Sequence, residues 1–228
     1  TACYERIDPM LGTEEDFRTL CAEAKKRGIR VMLDGVFNHT GRKSVYFNAD
    51  GFYPSLGAAQ GPASPYYRWY SFHPFPDDYD AWWGIKNLPA VNETEESYVD
   101  YIIEGEHSII RRWLRAGASG WRLDVADELP DEFIARIRRA MEEERPDGYL
   151  LGEVWEDGTT KIAYSKRRKY LLGRETHGLM NYPFRTALLD FLRGGDAAVF
   201  RERMEELREH YPAPAYYGAM NFLSTHDT

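Results

Sequence analysis

The sequence contains little cysteine and no long apolar run. Its 228 residues include only two cysteines, Cys3 and Cys21, whose spacing matches no metal-ligand motif, which favours two free thiols. No window approaches about 18 uninterrupted apolar residues, so no transmembrane helix is expected. The first residues, TACYERIDPM, lack the features of a signal peptide and are typical of the middle of a domain. We therefore expect part of a longer cytoplasmic protein, with a periplasmic or secreted location as the alternatives.

An excess of positive charge is also absent. The chain has 29 Lys and Arg against 37 Asp and Glu, a formal net charge of −8. Its one dense basic cluster, KRRK at 166–169, is predicted to be a solvated helix face. These features exclude nucleic acid and membrane surfaces as expected partners. Aromatic residues are abundant instead, at 14%, and they fit a neutral, hydroxyl-rich ligand.

Strands and helices alternate along most of the chain. Apolar runs predict five strands, and the segments between them have helical periodicity. The strands are expected near residues 30, 121, 150, 179 and 220. The helices are expected at 13–27, 95–116, 130–145, 160–172, 184–193 and 196–210. This order predicts an α/β fold with a parallel sheet and right-handed crossovers.

Residues 40–92 interrupt this alternation. The stretch is rich in Gly, Pro, Tyr and Trp and is far too long for an ordinary loop. We expect it to be an inserted lobe, with residues 1–39 and 93–228 forming the remaining domain.

Polar residues gather where the predicted strands end. In a parallel (β/α) barrel all these ends lie on one rim, which is where such enzymes place their active sites. Asp124 and Glu153 are 29 residues apart, close to one strand–helix unit, and Glu153 and Asp227 are 74 apart, close to two. The polar residues concerned are Asp34, Asn38, His39, Arg122, Asp124, Glu153, His226 and Asp227.

Arg122 and Asp124 pose the sharpest question, because side chains two residues apart in a strand share one face. A charged pair on an inward face is unfavourable unless it is paired or used in chemistry. A purely structural ion pair and a poised catalytic carboxylate are the two interpretations.

Five short stretches together resemble motifs of the α-amylase family of glycoside hydrolases, in the family's order. Two longer segments, WWGIKNLPAVN and GLMNYPF, are similar to the branch of neopullulanases, cyclomaltodextrinases and maltogenic amylases. The five stretches are DGVFNH (34–39), LPAVN (88–92), GWRLD (120–124), LLGEVW (150–155) and FLSTHD (222–227).

The resemblance implies an eight-stranded (β/α) barrel with a lobe inserted after the third strand. The chain would carry strands three to seven, so the expected fold is a partial (β/α)8 TIM barrel with residues 40–92 as the lobe. Two positions depart from the family pattern. Cys3 stands where relatives usually have an acidic residue, and Asp127 stands where the branch typically has Asn, which leaves bond preference open.

The resemblance also implies roles for single residues. Asp124 would be the nucleophile, Glu153 the general acid/base, and Asp227 the carboxylate that stabilises the transition state. The other implied residues are the substrate contacts Arg122, His39 and His226, the orienting residue Asp34, and Asn38 as a calcium ligand. Aromatic residues that could stack on sugar rings are Trp82, Trp83, Trp155 and Tyr182. No cofactor is required for this chemistry, and calcium is the one metal implied.

The residues agree with retaining glycosidase chemistry, which needs one ionised and one protonated carboxyl group about 5–5.5 Å apart. Arg122 is expected to keep Asp124 ionised. Glu153, between apolar neighbours, is expected to lie in a drier pocket that lets it donate a proton.

The expected function is hydrolysis of α-glucosidic bonds, mainly α-1,4, in starch-derived oligosaccharides, cyclodextrins or pullulan, through a glycosyl-enzyme intermediate. The expected partner is an α-glucan oligosaccharide, and the full-length protein is expected to be a homodimer. The alternatives are an α-glucosidase, a branching or debranching enzyme, a transglycosylase, and a barrel scaffold without catalytic activity.

Overall fold

A four-stranded parallel sheet forms the centre of the computed structural model, which describes residues 1–228. The strands are β1 Leu33–Gly35, β2 Gly120–Leu123, β3 Tyr149–Gly152, β4 Ile162–Ala163, β5 Lys166–Arg167 and β6 Gly178–Leu179. The sheet has the order β1-β2-β3-β6, so successive sheet strands are also neighbours in space, as in a (β/α) barrel. The strand predicted near 220 is reduced to a single parallel bridge between Met180 and Met220.

Seven α-helices lie before, between and after these strands. They are α1 Glu14–Lys26, α2 Glu96–Val99, α3 Ile109–Arg115, α4 Asp131–Glu144, α5 Tyr182–Leu192, α6 Ala197–His210 and α7 Ala213–Tyr217. Helix α1 begins as predicted, because Thr13 and Asp16 form a reciprocal capping box. None of the helices combines the length and apolar character needed to cross a bilayer.

The helix predicted over 95–116 is divided. Helix α2 continues into a π-helical turn at Asp100–Glu104, and the chain then leaves the helix at Gly105 before α3 begins. The hydroxyl of Ser108 donates a hydrogen bond of 2.9 Å to the Ile103 carbonyl. The Ile103 carbonyl therefore has a hydrogen-bond partner at the interruption although the helix does not continue there.

The helix predicted over 160–172 is wrong. Strands β4 and β5 form an antiparallel hairpin whose turn residues, Tyr164 and Ser165, have φ values of 51° and 62°. Two successive positive φ values are typical of the tight turns that join short hairpin strands. The basic cluster at 166–169 is therefore no solvated helix face, and Arg168 within it is buried.

Residues 40–92 share the hydrophobic core of the sheet and its helices. Phe37, Tyr46, Trp69 and Tyr98 belong to one cluster of 37 buried residues, and the Tyr98 hydroxyl donates to the Phe37 carbonyl at 2.8 Å. Regular structure in this region consists of three 3-10 turns, at Ala58–Gln60, Tyr67–Trp69 and Trp82–Gly84, and of isolated antiparallel bridges that join Phe72 to Tyr79 and Ala81 to Pro89. Assignment of the region as a separate lobe stays a prediction.

The close approach of β2 and β3 generates the first testable prediction. A Cβ atom at Gly120 would lie 2.0 Å from the backbone oxygen of Tyr149, so Gly120→Ala must push the two strands apart. We expect a loss of about 3 kcal/mol in the free energy of unfolding, measured by chemical denaturation. At Gly51, with φ +65° and no atom within 4 Å, the same substitution should cost only about 1 kcal/mol. Equal losses for the two variants would contradict the packing argument.

Candidate active site

One arginine joins the carboxyl ends of three neighbouring strands. In the strand register Asp34 of β1 lies opposite Arg122 of β2. Atom Nη1 of Arg122 lies 2.7 Å from Oδ1 of Asp34 and 2.6 Å from Oδ1 of Asp124. Its Nη2 atom lies 2.9 Å from Oε2 of Glu153. Because one planar guanidinium group contacts all three carboxylates, they form a single cluster.

The pKa of Asp124 differs in part from the expectation that Arg122 keeps this carboxyl group ionised. Burial raises the pKa of Asp124, and the hydrogen bond and charge of Arg122 oppose that shift. The nearby charges of Asp34 and Asp227 raise the pKa of Asp124 further. Arg122 thus favours the ionised form of Asp124 as predicted, but burial has the larger effect. Burial alone would lower the pKa of Arg122, whereas its hydrogen bonds and charge partners raise it.

Glu153 is buried as expected, but its carboxyl oxygens contact hydrogen-bond donors and not only apolar side chains. The residue is 4% exposed. Its Oε2 atom accepts the backbone N–H of Val125 at 2.7 Å, and its Oε1 atom accepts the indole N–H of Trp155 at 3.0 Å. The dry pocket predicted for Glu153 is therefore a polar one. These two donors hold both oxygens of the carboxyl group in one orientation.

The backbone at Val125 is unusual. Its φ of 39° lies in the left-handed region, which is unfavourable for a β-branched residue. This conformation directs the Val125 N–H to the Glu153 carboxylate. The next residue, Ala126, donates its N–H to the Glu153 backbone oxygen at 3.1 Å. The segment after β2 is thus tied to the end of β3 at two adjacent residues.

A cleft of about 580 Å³ opens above these carboxylates. Its lining residues are His39, Trp82, Trp83, Asp124, Val125, Asp127, Glu128, Glu153, Trp155, Glu156 and Asp227. Of the eight polar residues predicted at the strand ends, His39, Asp124, Glu153 and Asp227 therefore face one space, and the predicted stacking residue Trp155 lines it with them. The other four polar residues do not line it. Asp34 and Arg122 lie beneath the cleft in the ion-pair cluster, and Asn38 lies beside His39. The side chain of His226 is 71% exposed and approaches Asp227 at 3.4 Å.

His39 is held as a neutral ring. The residue is 7% exposed, and its ring stacks on Trp82 with the centroids 5.1 Å apart. Burial lowers the pKa of His39 to about 4. At neutral pH the imidazole can therefore donate or accept a hydrogen bond in the cleft without carrying charge.

The aromatic residues divide into exposed and supporting groups. Trp83 and Trp155 are 78% and 51% exposed and line the cleft. Tyr182, by contrast, is buried and stacks against Trp155 with the centroids 4.6 Å apart. The expectation that Tyr182 itself presents a stacking surface is not supported, because its ring supports Trp155 from behind.

Several cleft contacts were missed from the sequence. Glu128 accepts hydrogen bonds from the Trp83 indole at 3.2 Å and from the Tyr164 hydroxyl. Lys161 pairs with Asp127 at 3.1 Å and with Glu156. Lys161 and Tyr164 lie in the segment that was wrongly predicted as a helix, and no local pattern indicates their long-range contacts with Asp127 and Glu128.

The residues around Asn38 do not fit a calcium ion. The Asn38 amide nitrogen donates to Glu93 at 3.2 Å, and its oxygen lies 3.3 Å from Nδ1 of His39. Calcium takes six to eight oxygen ligands. No group of three or more His, Cys, Asp or Glu side chains is arranged to hold a metal. We therefore derive no step that uses a metal at Asn38.

The parallel sheet, the carboxylates at its strand ends and the aromatic-lined cleft have the arrangement expected of a glycosidase site on a TIM barrel. Residues 1–228 match the family "Alpha amylase, catalytic domain". The chain belongs to the α-amylase catalytic-domain family. The predicted family and the partial α/β barrel are confirmed.

Named relatives extend this comparison. The chain is 37% identical to an amylopullulanase from Thermoanaerobacterium saccharolyticum, covering 100% of itself and 19% of that protein. It is 33% identical to a cyclomaltodextrinase from Geobacillus thermopakistaniensis, and the match covers 100% of this chain and 37% of that protein. The ligand-free structure of cyclic α-maltosyl-(1→6)-maltose hydrolase from Arthrobacter globiformis superposes on this chain with a TM-score of 0.82 at 30% identity. The superposition covers 100% of this chain and 49% of the hydrolase chain. The chain thus spans about a fifth to two fifths of the curated relatives' length.

The ion-pair cluster predicts a pH-dependent loss of stability in Arg122→Met. The substitution leaves buried carboxylates without their cation, so we expect a loss of about 3–5 kcal/mol near neutral pH. Asp124 would then bind its proton more tightly in the folded than in the unfolded state. The free energy of unfolding should therefore fall as pH rises from about 4 to 8.

Chemical denaturation across this pH range measures the effect, and Arg111→Met is the matched control. Arg111 is similarly buried but pairs with Glu143 and Glu144 on helix α4. Parallel pH profiles for the two variants would contradict the prediction.

The contacts of Asn38 predict that calcium adds no stability. Dialysis against a chelator should leave the melting temperature unchanged, because a ligand stabilises a fold only when the folded state binds it. Differential scanning fluorimetry with and without millimolar calcium checks this. A calcium-dependent rise that disappears in Asn38→Ala would overturn it.

Proposed function

We propose that this chain is part of a retaining glycoside hydrolase that cleaves α-glucosidic bonds, mainly α-1,4, in starch-derived oligosaccharides, cyclodextrins or pullulan. The observation that carries the proposal is the placement of Asp124 and Glu153. Both contact the same guanidinium group and both line one cleft, with Asp227 also at its surface. Retaining hydrolysis requires two carboxyl groups about 5–5.5 Å apart, and contact with one shared guanidinium group supports such an arrangement.

Asp124 is proposed as the nucleophile. Its oxygen attacks the anomeric carbon while the bond to the leaving sugar breaks, which gives a covalent glycosyl-enzyme. Arg122 contacts Oδ1 of Asp124 at 2.6 Å, so the attacking carboxylate is oriented and its negative charge is favoured. Water then attacks the same carbon and releases Asp124.

Glu153 is proposed as the general acid/base. It gives its proton to the glycosidic oxygen as the leaving sugar departs, and it takes a proton from the attacking water in the second step. Hydrogen bonds from Val125 and Trp155 fix the carboxyl group in place. Such fixed orientation is what efficient proton transfer requires.

Asp227 is proposed to stabilise the positive charge that develops on the sugar ring. It lies close enough to Asp124 to raise the pKa of that carboxyl group, and it lines the cleft. His39, neutral and fixed against Trp82, is proposed to bind a sugar hydroxyl. His226 would have to turn towards the cleft to make the contact implied by the family resemblance.

The substrate class follows from the cleft and from the names of the relatives. Exposed faces of Trp83 and Trp155 suit neutral sugar rings. Relatives are named for pullulan, cyclodextrin and a cyclic maltosyl-maltose. We infer a glucan oligosaccharide as the ligand. The homodimer and the cellular compartment stay predictions for the whole protein.

Other specificities within the family give different products from the same site. An α-glucosidase, a branching or debranching enzyme and a transglycosylase differ in where the bond is cut or which acceptor is used. A scaffold without catalysis would bind glucans and release no sugar. Product analysis of the full-length protein on maltotriose, cyclodextrin and pullulan separates these outcomes.

Substitution of either proposed catalytic carboxyl group should abolish most activity. In the full-length protein we expect Asp124→Asn and Glu153→Gln to lower kcat by roughly 10²–10⁴-fold, with folding retained. Glu143→Gln, an exposed change on α4, is the control. Reducing-sugar release measures the rate, and wild-type-like activity in either variant would reject the assigned role.

The two roles can also be separated from each other. A glycosyl fluoride needs little protonation of its leaving group, so Glu153→Gln should still release fluoride in a first turnover and accumulate a sugar on Asp124. Peptide mass spectrometry locates the added mass. Attachment at another residue, or an inverted product anomer by NMR, would exclude the mechanism.

A further inference from the structure

Arg168 makes an unusual set of contacts directly after strand β5. The residue is 6% exposed. Its Nη1 atom donates to the Asp127 carbonyl at 2.7 Å, and its Nη2 atom donates to the Leu129 carbonyl at 2.6 Å and the Ala126 carbonyl at 3.4 Å. One side chain therefore binds three backbone oxygens of the β2–α4 loop, defined as residues 124–130.

The surroundings of Arg168 keep its guanidinium group in place. Its Nε atom lies 2.6 Å from Oδ1 of Asp131, at the start of helix α4. The guanidinium carbon lies 4.7 Å from the centroid of the Tyr170 ring. A buried cation with a carboxylate, an aromatic face and several carbonyl acceptors has a defined position. Arg168 can therefore transmit a fixed geometry to the loop it contacts.

The β2–α4 loop needs such support because its first turn is strained. Val125 adopts a φ of 39°, and strained conformations persist only where the surrounding structure determines them. The strained residue is also the one whose N–H binds Glu153 at 2.7 Å. The carbonyls held by Arg168 begin at the very next residue, Ala126.

We propose that Arg168 is a positioning residue that holds the β2–α4 loop so that the Val125 N–H stays on the Glu153 carboxylate. Arg168 lines no part of the cleft and acts only through the loop. The inference rests on the proposed function for its effect on catalysis. Its effect on the Val125 amide is independent of that function.

Two arginines bind backbone carbonyls of the segments that flank β2, one before the strand and one after it. They provide a matched comparison. Arg145 donates to the carbonyls of Ala118 at 2.8 Å and Gly117 at 3.5 Å, just before β2 begins. Arg168 binds the loop just after β2 ends. A general loss of arginine–carbonyl contacts should affect both variants alike, whereas a positioning role should appear only in Arg168→Gln.

The test uses the full-length protein with Arg168→Gln, Arg168→Lys and Arg145→Gln. On a maltooligosaccharide we expect Arg168→Gln to lower kcat by roughly 10–100-fold with little change in KM. Arg168→Lys should recover little, because one ammonium group cannot span three carbonyls. Arg145→Gln should lower the melting temperature and leave kcat within about threefold of wild type. Equal loss of kcat in Arg145→Gln and Arg168→Gln would overturn the proposal.

A second substrate shows whether the loss of kcat in Arg168→Gln acts through Glu153. First-turnover fluoride release from a glycosyl fluoride depends weakly on the general acid, so Arg168→Gln should impair it much less than maltooligosaccharide cleavage. Equal impairment on both substrates would contradict the proposed route through Glu153.

Hydrogen exchange gives a readout without catalysis. The Val125 amide should exchange at least tenfold faster in Arg168→Gln than in wild type, while amides of β2 stay protected. Unchanged exchange at Val125 overturns the proposal even if the wild-type protein releases no sugar. An inactive wild type with faster exchange in Arg168→Gln would instead reject the proposed function and retain the loop contact.

Discussion

The contact of Arg122 with three carboxylates is the constraint on which the site depends. Carboxyl groups brought together at the ends of parallel strands repel one another, and burial strengthens this repulsion. A fixed guanidinium group opposes both effects and also orients the oxygens it binds. The strand register that places Asp34 opposite Arg122 is therefore a condition for the site, because a shift of one residue would turn Arg122 to the other face.

This constraint connects the fold to the chemistry through the backbone. Asp124 N–H donates to the Gly35 carbonyl, and Glu153 N–H donates to the Leu123 carbonyl, so ladder hydrogen bonds continue up to the two proposed catalytic residues. Regular pairing then stops, and Val125 turns into a left-handed conformation. The site thus forms where a rigid sheet meets a loop that other side chains must hold.

The sequence predicted the parts that have a local signature. Alternation of side chains placed Arg122 and Asp124 on one face, and strand-to-strand spacing brought Glu153 and Asp227 to the same rim. The segment 160–172 failed because strands of two residues are too short to show a period of two. Its basic residues resembled a helix surface, yet Arg168 is buried by partners far away in the chain.

The failure at Arg168 has a physical cause that applies to all such contacts. Its acceptors are backbone carbonyls of Ala126, Asp127 and Leu129, and every residue type carries a backbone carbonyl. A carbonyl partner leaves no complementary charge in the sequence, and the one carboxylate partner of Arg168, Asp131, is distant in the chain and is not distinguished there from the other acidic residues. The backbone N–H that Val125 donates to Glu153 likewise has no signature in the sequence. Charged residues at the ends of predicted strands can therefore be located from sequence patterns, while the backbone geometry that aligns them emerges only from the folded chain.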